Sequence, residues 1–293
     1  MSRAKVLGVA LAFAGAIAAA APAAAQVTVG ADVALFSDYV WRGITYTNQF
    51  VIQPDAYVTI PAGKGSITGG GWFNIEPGAY DGAGDISENG AEGAGVAEFD
   101  WWGELNYPVG VANLTGGVTG YVFPNDLGFT SDFNTVEVYG KVALGVPLSP
   151  KLSVWYDVDK VEGLYLEGSV SHALTVGPKL SINLGAIAGF NSGQDADLDA
   201  NGLPQADFYN FIDKGFTHLD LSAAVPFSAG PFSISPVVHA VITGDDATKY
   251  DGFDTNGNLN SKDVKFWFGA TISWSKAFGG EEEAPAEAAP AAE

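Results

Sequence analysis

The chain has 293 residues, no cysteine, 38 glycines, 12% aromatic residues and a net charge of −21. So acidic a balance disfavours nucleic-acid binding, whose affinity rests on lysine and arginine at phosphates. The absence of cysteine excludes a disulfide framework, so an exported chain of this size must hold together by another route.

The first 25 residues read as a secretory signal peptide. Arg3 and Lys5 form a positive n-region, Val6 to Ala20 is a small, apolar run, and Ala23–Ala24–Ala25 is an A-x-A site, which predicts cleavage before Gln26. Removing Arg3 and Lys5 leaves the mature chain at −23. No later run reaches the roughly 18 apolar residues a spanning helix needs. A closed β-barrel meets the stability requirement instead, because every backbone group is paired around the ring.

The first strand is expected over 27–41. It ends in Ser37–Asp38–Tyr39–Val40–Trp41–Arg42–Gly43. Side chains alternate between the faces of a strand, so Tyr39 and Trp41 share one face and Asp38 and Arg42 the other. In a membrane barrel this predicts the two aromatics in a lipid-facing girdle and the two charges in a wet lumen. The motif Asp38–Tyr39–Val40–Trp41–Arg42–Gly43–Ile44, directly after an alternating strand, resembles the signature of the TorF family of Gram-negative outer-membrane porins. The resemblance covers the first strand and its turn, and implies location and architecture rather than a substrate.

Further strands are expected near 50–61, 66–76, 96–107, 111–123, 133–146, 151–160, 162–175, 179–190, 215–226, 231–243 and 264–278, about twelve in all. Short Pro/Gly turns, such as Pro61–Ala62–Gly63–Lys64–Gly65 and Pro108–Val109–Gly110, alternate with longer connections at 42–49, 77–95, 124–132, 191–214 and 244–263. Only the connection near Val161 is short on that side. An up-and-down barrel sorts its loops in this way, with short periplasmic turns and long external loops.

The faces agree with that architecture. Over 179–190, Leu180, Ile182, Leu184, Ala186, Ala188 and Phe190 oppose Ser181, Asn183, Gly185 and Gly189. Over 96–106, Phe99, Trp101 and Leu105 oppose Glu98, Asp100, Trp102 and Glu104. The fold expected is therefore an all-β, antiparallel, up-and-down transmembrane barrel over 26–278.

Near the end, Gly269–Ala270–Thr271–Ile272–Ser273–Trp274 fits the G-x-x-Φ-x-Φ pattern that resembles the signal read by the outer-membrane assembly machinery. After Phe278 a Glu/Ala/Pro tail over 279–293 has no hydrophobic pattern and is expected to be disordered and periplasmic.

Three kinds of chemistry are open to such a chain. Alternation points Asp38, Asp55, Glu98, Asp100, Glu104, Glu137, Asp157, Glu167 and Asp220 inward, against Arg42, Lys141 and Lys265. Rings of carboxylates favour cations, which predicts a channel for small polar or cationic solutes. Arg42 stands out as a guanidinium in an acidic lumen, able either to tie the wall together or to form a constriction.

In the loops, Asp195, Asp197, Asp199 and Asn201 offer hard oxygens, and Asp197 to Gly202 fits the first half of a calcium loop. Phe208 stands where a bidentate glutamate belongs, and Pro204 interrupts the loop. No cofactor is expected apart from calcium there. A closed barrel whose acidic loops bind ions or surface ligands is the alternative function.

Catalysis finds little footing: His172, His218 and His239 come without a G-x-S-x-G or H-E-x-x-H motif, so no enzyme is expected. The partners expected are outer-membrane lipid and lipopolysaccharide, the assembly machinery through Gly269–Trp274, and small solutes.

Overall fold

The computed structural model describes residues 26–78, 95–124, 134–177, 180–195, 211–253 and 259–279. The expected signal peptide and the expected C-terminal tail beyond Gly279 lie outside the described residues, as do Asp197, Asp199 and Asn201.

In chain order the elements are β1 (Val27–Phe36), β2 (Tyr39–Trp41), β3 (Ile44–Thr47), β4 (Val51–Ala62), β5 (Gly65–Glu76), β6 (Gly95–Val109), β7 (Ala112–Val122), β8 (Thr135–Leu144), β9 (Lys151–Asp157), β10 (Leu164–Gly177), β11 (Leu180–Ser192) and β12 (Gly215–Ala224). There follow β13 (Phe227–Ala229), β14 (Phe232–Thr243), a single helical turn α1 (Asp246–Lys249), β15 (Tyr250–Phe253), β16 (Leu259–Ser261) and β17 (Val264–Phe278).

Twelve of these strands close into an antiparallel barrel. Sequence neighbours pair in turn from β4 to β12, β12 pairs with β14, β14 with β17, and β17 with β1, which pairs with β4. The short β13 continues the line of β12 along β14, with Phe227 opposite Ile234. A ring leaves no open edge, so the ladder satisfies the backbone without disulfides. The expected strands correspond to these twelve within a few residues, apart from the first.

The period of two sorts the side chains. Val58, Val138, Val142, Leu152, Val170, Leu174, Leu184, Leu221 and Val238 are exposed on the outer wall. Two sets of exposed aromatics flank this aliphatic zone. Phe50, Phe73, Tyr156, Phe190, Phe216, Phe266 and Phe268 ring the long-loop end, and Tyr107, Phe227, Phe232 and Phe278 the short-turn end. Thr68, Glu98, Tyr121, Glu137, Tyr139, Ser153, Asp157, Tyr165 and Lys265 are buried on the inner side.

The first strand is the departure. It ends at Phe36, not at 41. Ser37 exchanges hydrogen bonds with β17: its amide donates to the Phe268 carbonyl at 2.9 Å, and its hydroxyl accepts from the Phe268 amide at 3.0 Å. The chain then leaves the wall and makes the β2–β3 hairpin, with Trp41 opposite Ile44. Its two-residue turn places Arg42 at φ 50° and Gly43 at φ 82°, the left-handed pair that a tight hairpin turn requires. Arginine accepts this conformation at a cost of about 1 kcal/mol.

The hairpin folds into the barrel. Tyr39, Ile44, Tyr46 and Val51 form a buried cluster with Tyr165 and Phe211, and Phe36, Trp41, Trp72 and Trp155 pack against it. The expected girdle position of Tyr39 and Trp41 is thereby corrected. Their shared face is real, but it meets the inner wall rather than lipid. The ring of Tyr39 lies 5.5 Å from Trp72, and Trp41 meets Tyr121 edge-on at 5.9 Å.

Candidate functional site

The long-loop end of the lumen is organised by this hairpin. Its tip reaches from β1 to the wall five strands away. Arg42 donates from both terminal nitrogens to the Glu137 carboxylate of β8, at 2.9 and 2.7 Å, and to the Gln194 side-chain oxygen at 2.9 Å. The two partners of the ion pair are 5% and 3% exposed. The guanidinium also lies over Trp41 at 4.1 Å, Tyr165 at 4.3 Å and Trp155 at 5.0 Å. Glu137 is held from behind by the Tyr121 hydroxyl at 2.8 Å and the Gln194 amide at 2.7 Å. Every lone-pair direction of a buried carboxylate is thus put to use.

Other contacts fix the rest of the hairpin. The Tyr39 hydroxyl donates to Glu98 of β6 at 2.8 Å, and the Thr47 hydroxyl to Glu76 of β5 at 2.6 Å. On the opposite side Lys265 of β17 donates to the Gly43 carbonyl and the Thr45 hydroxyl, both at 2.7 Å. A β-bulge between β11 and β12 carries Thr217 and His218 inward together, and the His218 ring abuts the turn. A Cβ built on Gly43 would stand 2.6 Å from its Cγ. At the hairpin base, burial pushes the Asp38 carboxyl above its ordinary 3.8, while the hydrogen bond from Ser37 pulls it down.

Described residues of the connections 191–214 and 244–263 pack behind the hairpin. Phe211 is buried and stacks on Tyr165 at 5.5 Å. Its neighbours are anchored by the Asp245 carboxylate, which accepts from the Ile212 and Asp213 amides at 3.1 and 2.9 Å and from the Ala247 amide of α1 at 2.8 Å.

The expected lumen residues divide into three groups. Arg42, Glu98, Asp100 and Glu137 lie around the hairpin, with Asp38 at its base. Asp55, Glu104, Lys141, Glu167 and Asp220 lie on the barrel strands β4, β6, β8, β10 and β12, outside the hairpin contacts described above. There Asp55 stands in register with Asp32. Glu104 accepts from the Tyr139 hydroxyl at 3.0 Å and lies 3.4 Å from Lys141. Asp220 meets His239 at 2.9 Å, whose ring stacks on Trp267 at 3.6 Å.

Asp157 forms the third group. One of its oxygens accepts from the amides of Asp159, Lys160 and Val161, and the other from Thr135, so it builds the 158–163 turn. Of the expected calcium ligands Asp195 is described; its carboxylate accepts from Asn191 and lies 3.6 Å from Lys214. Among the described residues no group of three or more histidine, aspartate or glutamate side chains is arranged to hold a metal.

Gln194, Glu76, Tyr165 and Phe211 escaped the sequence reading. Alternation from Trp72 through Asn74 already points Glu76 inward, whereas Gln194 and Phe211 sit in connections, where no period applies.

A model of a family described as bacterial protein of unknown function (Gcw_chp) matches residues 20–196. No curated protein matches the sequence. Solved structures resemble the chain at low identity. An outer-membrane channel from Pseudomonas putida F1 is 10% identical, with 87% of this chain and 96% of that one covered, at a TM-score of 0.44. The KdgM porin is 8% identical over 84% of this chain and 98% of its own, at 0.41. LpxR from Salmonella typhimurium is 10% identical over 84% and 99%, at 0.45.

Proposed function

We propose that this chain, which belongs to the Gcw_chp family of bacterial proteins of unknown function, is an outer-membrane barrel that passes small polar or cationic solutes through a lumen controlled by its first hairpin. The membrane assignment rests on the outer wall, an aliphatic zone between two aromatic belts. The signal peptide read in residues 1–25 supplies export, and the likeness of Asp38–Ile44 to TorF porins points the same way. Phospholipid and lipopolysaccharide are the lipids such a wall would meet. Gly269–Trp274 lies in the closing strand β17, available to the assembly machinery before β1 pairs with it.

One observation carries the channel reading: an acid-lined lumen is crossed by a hairpin held through side-chain hydrogen bonds, the Arg42–Glu137 ion pair and packing of its aromatic rings on the inner wall. Such contacts can release without unfolding the ring. The acids it covers, Glu76, Glu98, Asp100 and Glu137, favour cations on release.

Planar-bilayer recording tests this. Steady current with a cation-over-anion preference is the expected result, and folded protein that carries no current overturns it. The second reading, a closed barrel whose acidic loops bind ions or surface ligands, is favoured by the depth of the Arg42–Glu137 pair. In that reading calcium at Asp195, Asp197, Asp199 and Asn201 would be its ligand.

A further inference from the structure

The surroundings of Arg42 have the form of a receptor site. Of the described groups around its guanidinium, Trp41 belongs to the hairpin and the others to the wall. Glu137 comes from β8, Trp155 from β9, Tyr165 from β10, and Gln194 from the connection after β11. These wall groups are also held by one another, independently of Arg42. Tyr121 and Gln194 both donate to Glu137. The Gln194 backbone N–H donates to the Asn191 side-chain oxygen at 2.7 Å. Tyr165 is packed between Trp155 at 5.7 Å and Phe211 at 5.5 Å. When the hairpin withdraws, a preorganised carboxylate, an amide oxygen and two aromatic faces remain around a guanidinium-sized space. A carboxylate with aromatic faces is the chemistry that selects a planar organic cation.

We infer that this cage is a binding site for a guanidinium group carried by a small solute, and that Arg42 occupies it as an internal surrogate. Solute and hairpin then compete for one position. Binding therefore favours the open hairpin, because a ligand shifts an equilibrium toward the state it binds better. The inference deepens the channel reading and rests on it for its use, but the site is measured without any current.

The test is calorimetric titration of methylguanidinium into the folded R42A barrel in detergent. Saturable binding is expected, at least about tenfold tighter than to the unaltered chain, where Arg42 competes. It should vanish in R42A/E137Q. Absence of binding to folded R42A, or binding that survives E137Q, overturns the inference. Should R42A not refold, the unaltered chain decides. Millimolar methylguanidinium, but not sodium at equal concentration, should speed hydrogen exchange of the 39–47 amides, and unchanged exchange overturns the inference. Binding without bilayer current would keep the cage and remove the channel. Current without binding would do the reverse.

Discussion

Arg42 leaves the wall at β1 and closes on Glu137 of β8, five places round the ring, through two nitrogen–oxygen contacts of 2.9 and 2.7 Å. The pair is a buried charge–charge contact between the hairpin and the wall. Removing one partner of such a pair leaves an uncompensated buried charge, at a cost of about 3–5 kcal/mol. The hairpin can relieve this by undocking. R42A should therefore make the 39–47 amides exchange roughly a hundredfold faster, with barrel-strand exchange unchanged. Equal protection in both chains would show that the aromatic cluster alone holds the hairpin.

Gly43 combines a left-handed backbone with the His218 ring at its back. G43A should weaken docking by about 1–3 kcal/mol and lengthen open periods in bilayer recordings. G43A/H218A removes the contact but not the backbone cost, so it should recover only part of the loss. Full recovery would mean that the turn conformation carries no strain.

Val170 and Ser171 are adjacent on β10 and face opposite ways. Val170→Arg places a cation on the exposed outer wall between the belts. It should reduce folding into lipid vesicles by about 2–4 kcal/mol. Ser171→Arg enters the lumen and should change folding by within about 0.5 kcal/mol. Equal tolerance of both would contradict a lipid-facing outer wall.

Asp38 lies outside the barrel strands, and burial raises its carboxyl above 3.8 in the docked hairpin. The docked state thus holds the proton more tightly than the undocked one. Through this residue docking gains as pH falls through the raised value toward 3.8, and the gain is absent above the raised value. D38N should flatten this contribution when hairpin exchange is followed from about pH 7 to about pH 4. Identical profiles for D38N and the unaltered chain would remove Asp38 from the pH response.

Asp32 and Asp55 face each other in register on β1 and β4, away from the hairpin. Neutralising both as asparagine should lower the cation-to-anion permeability ratio roughly severalfold while leaving hairpin exchange unaltered. An unchanged ratio would place selectivity at the hairpin instead.

Much of this architecture was legible in the chain itself. The two-residue period is a local property of extended backbone. It therefore told the wall of Leu184 and Phe266 from that of Glu104 and Asp220, and the Pro/Gly turns told one end from the other. The hairpin was not legible. Tyr39 and Trp41 alternate like strand residues because they are strand residues, and no period reveals which compartment a strand enters. Arg42 was legible as an unusual cation, and Glu137 as an inward acid, but not as partners. The groups that draw the hairpin inward lie far along the sequence: Glu137 is 95 residues away and Gln194 is 152, while Lys265 is 222 from Gly43. Only the closing of the ring brings them within reach of one another. The barrel thus follows from local backbone geometry, and the fate of its first loop from contacts that exist once the barrel is shut.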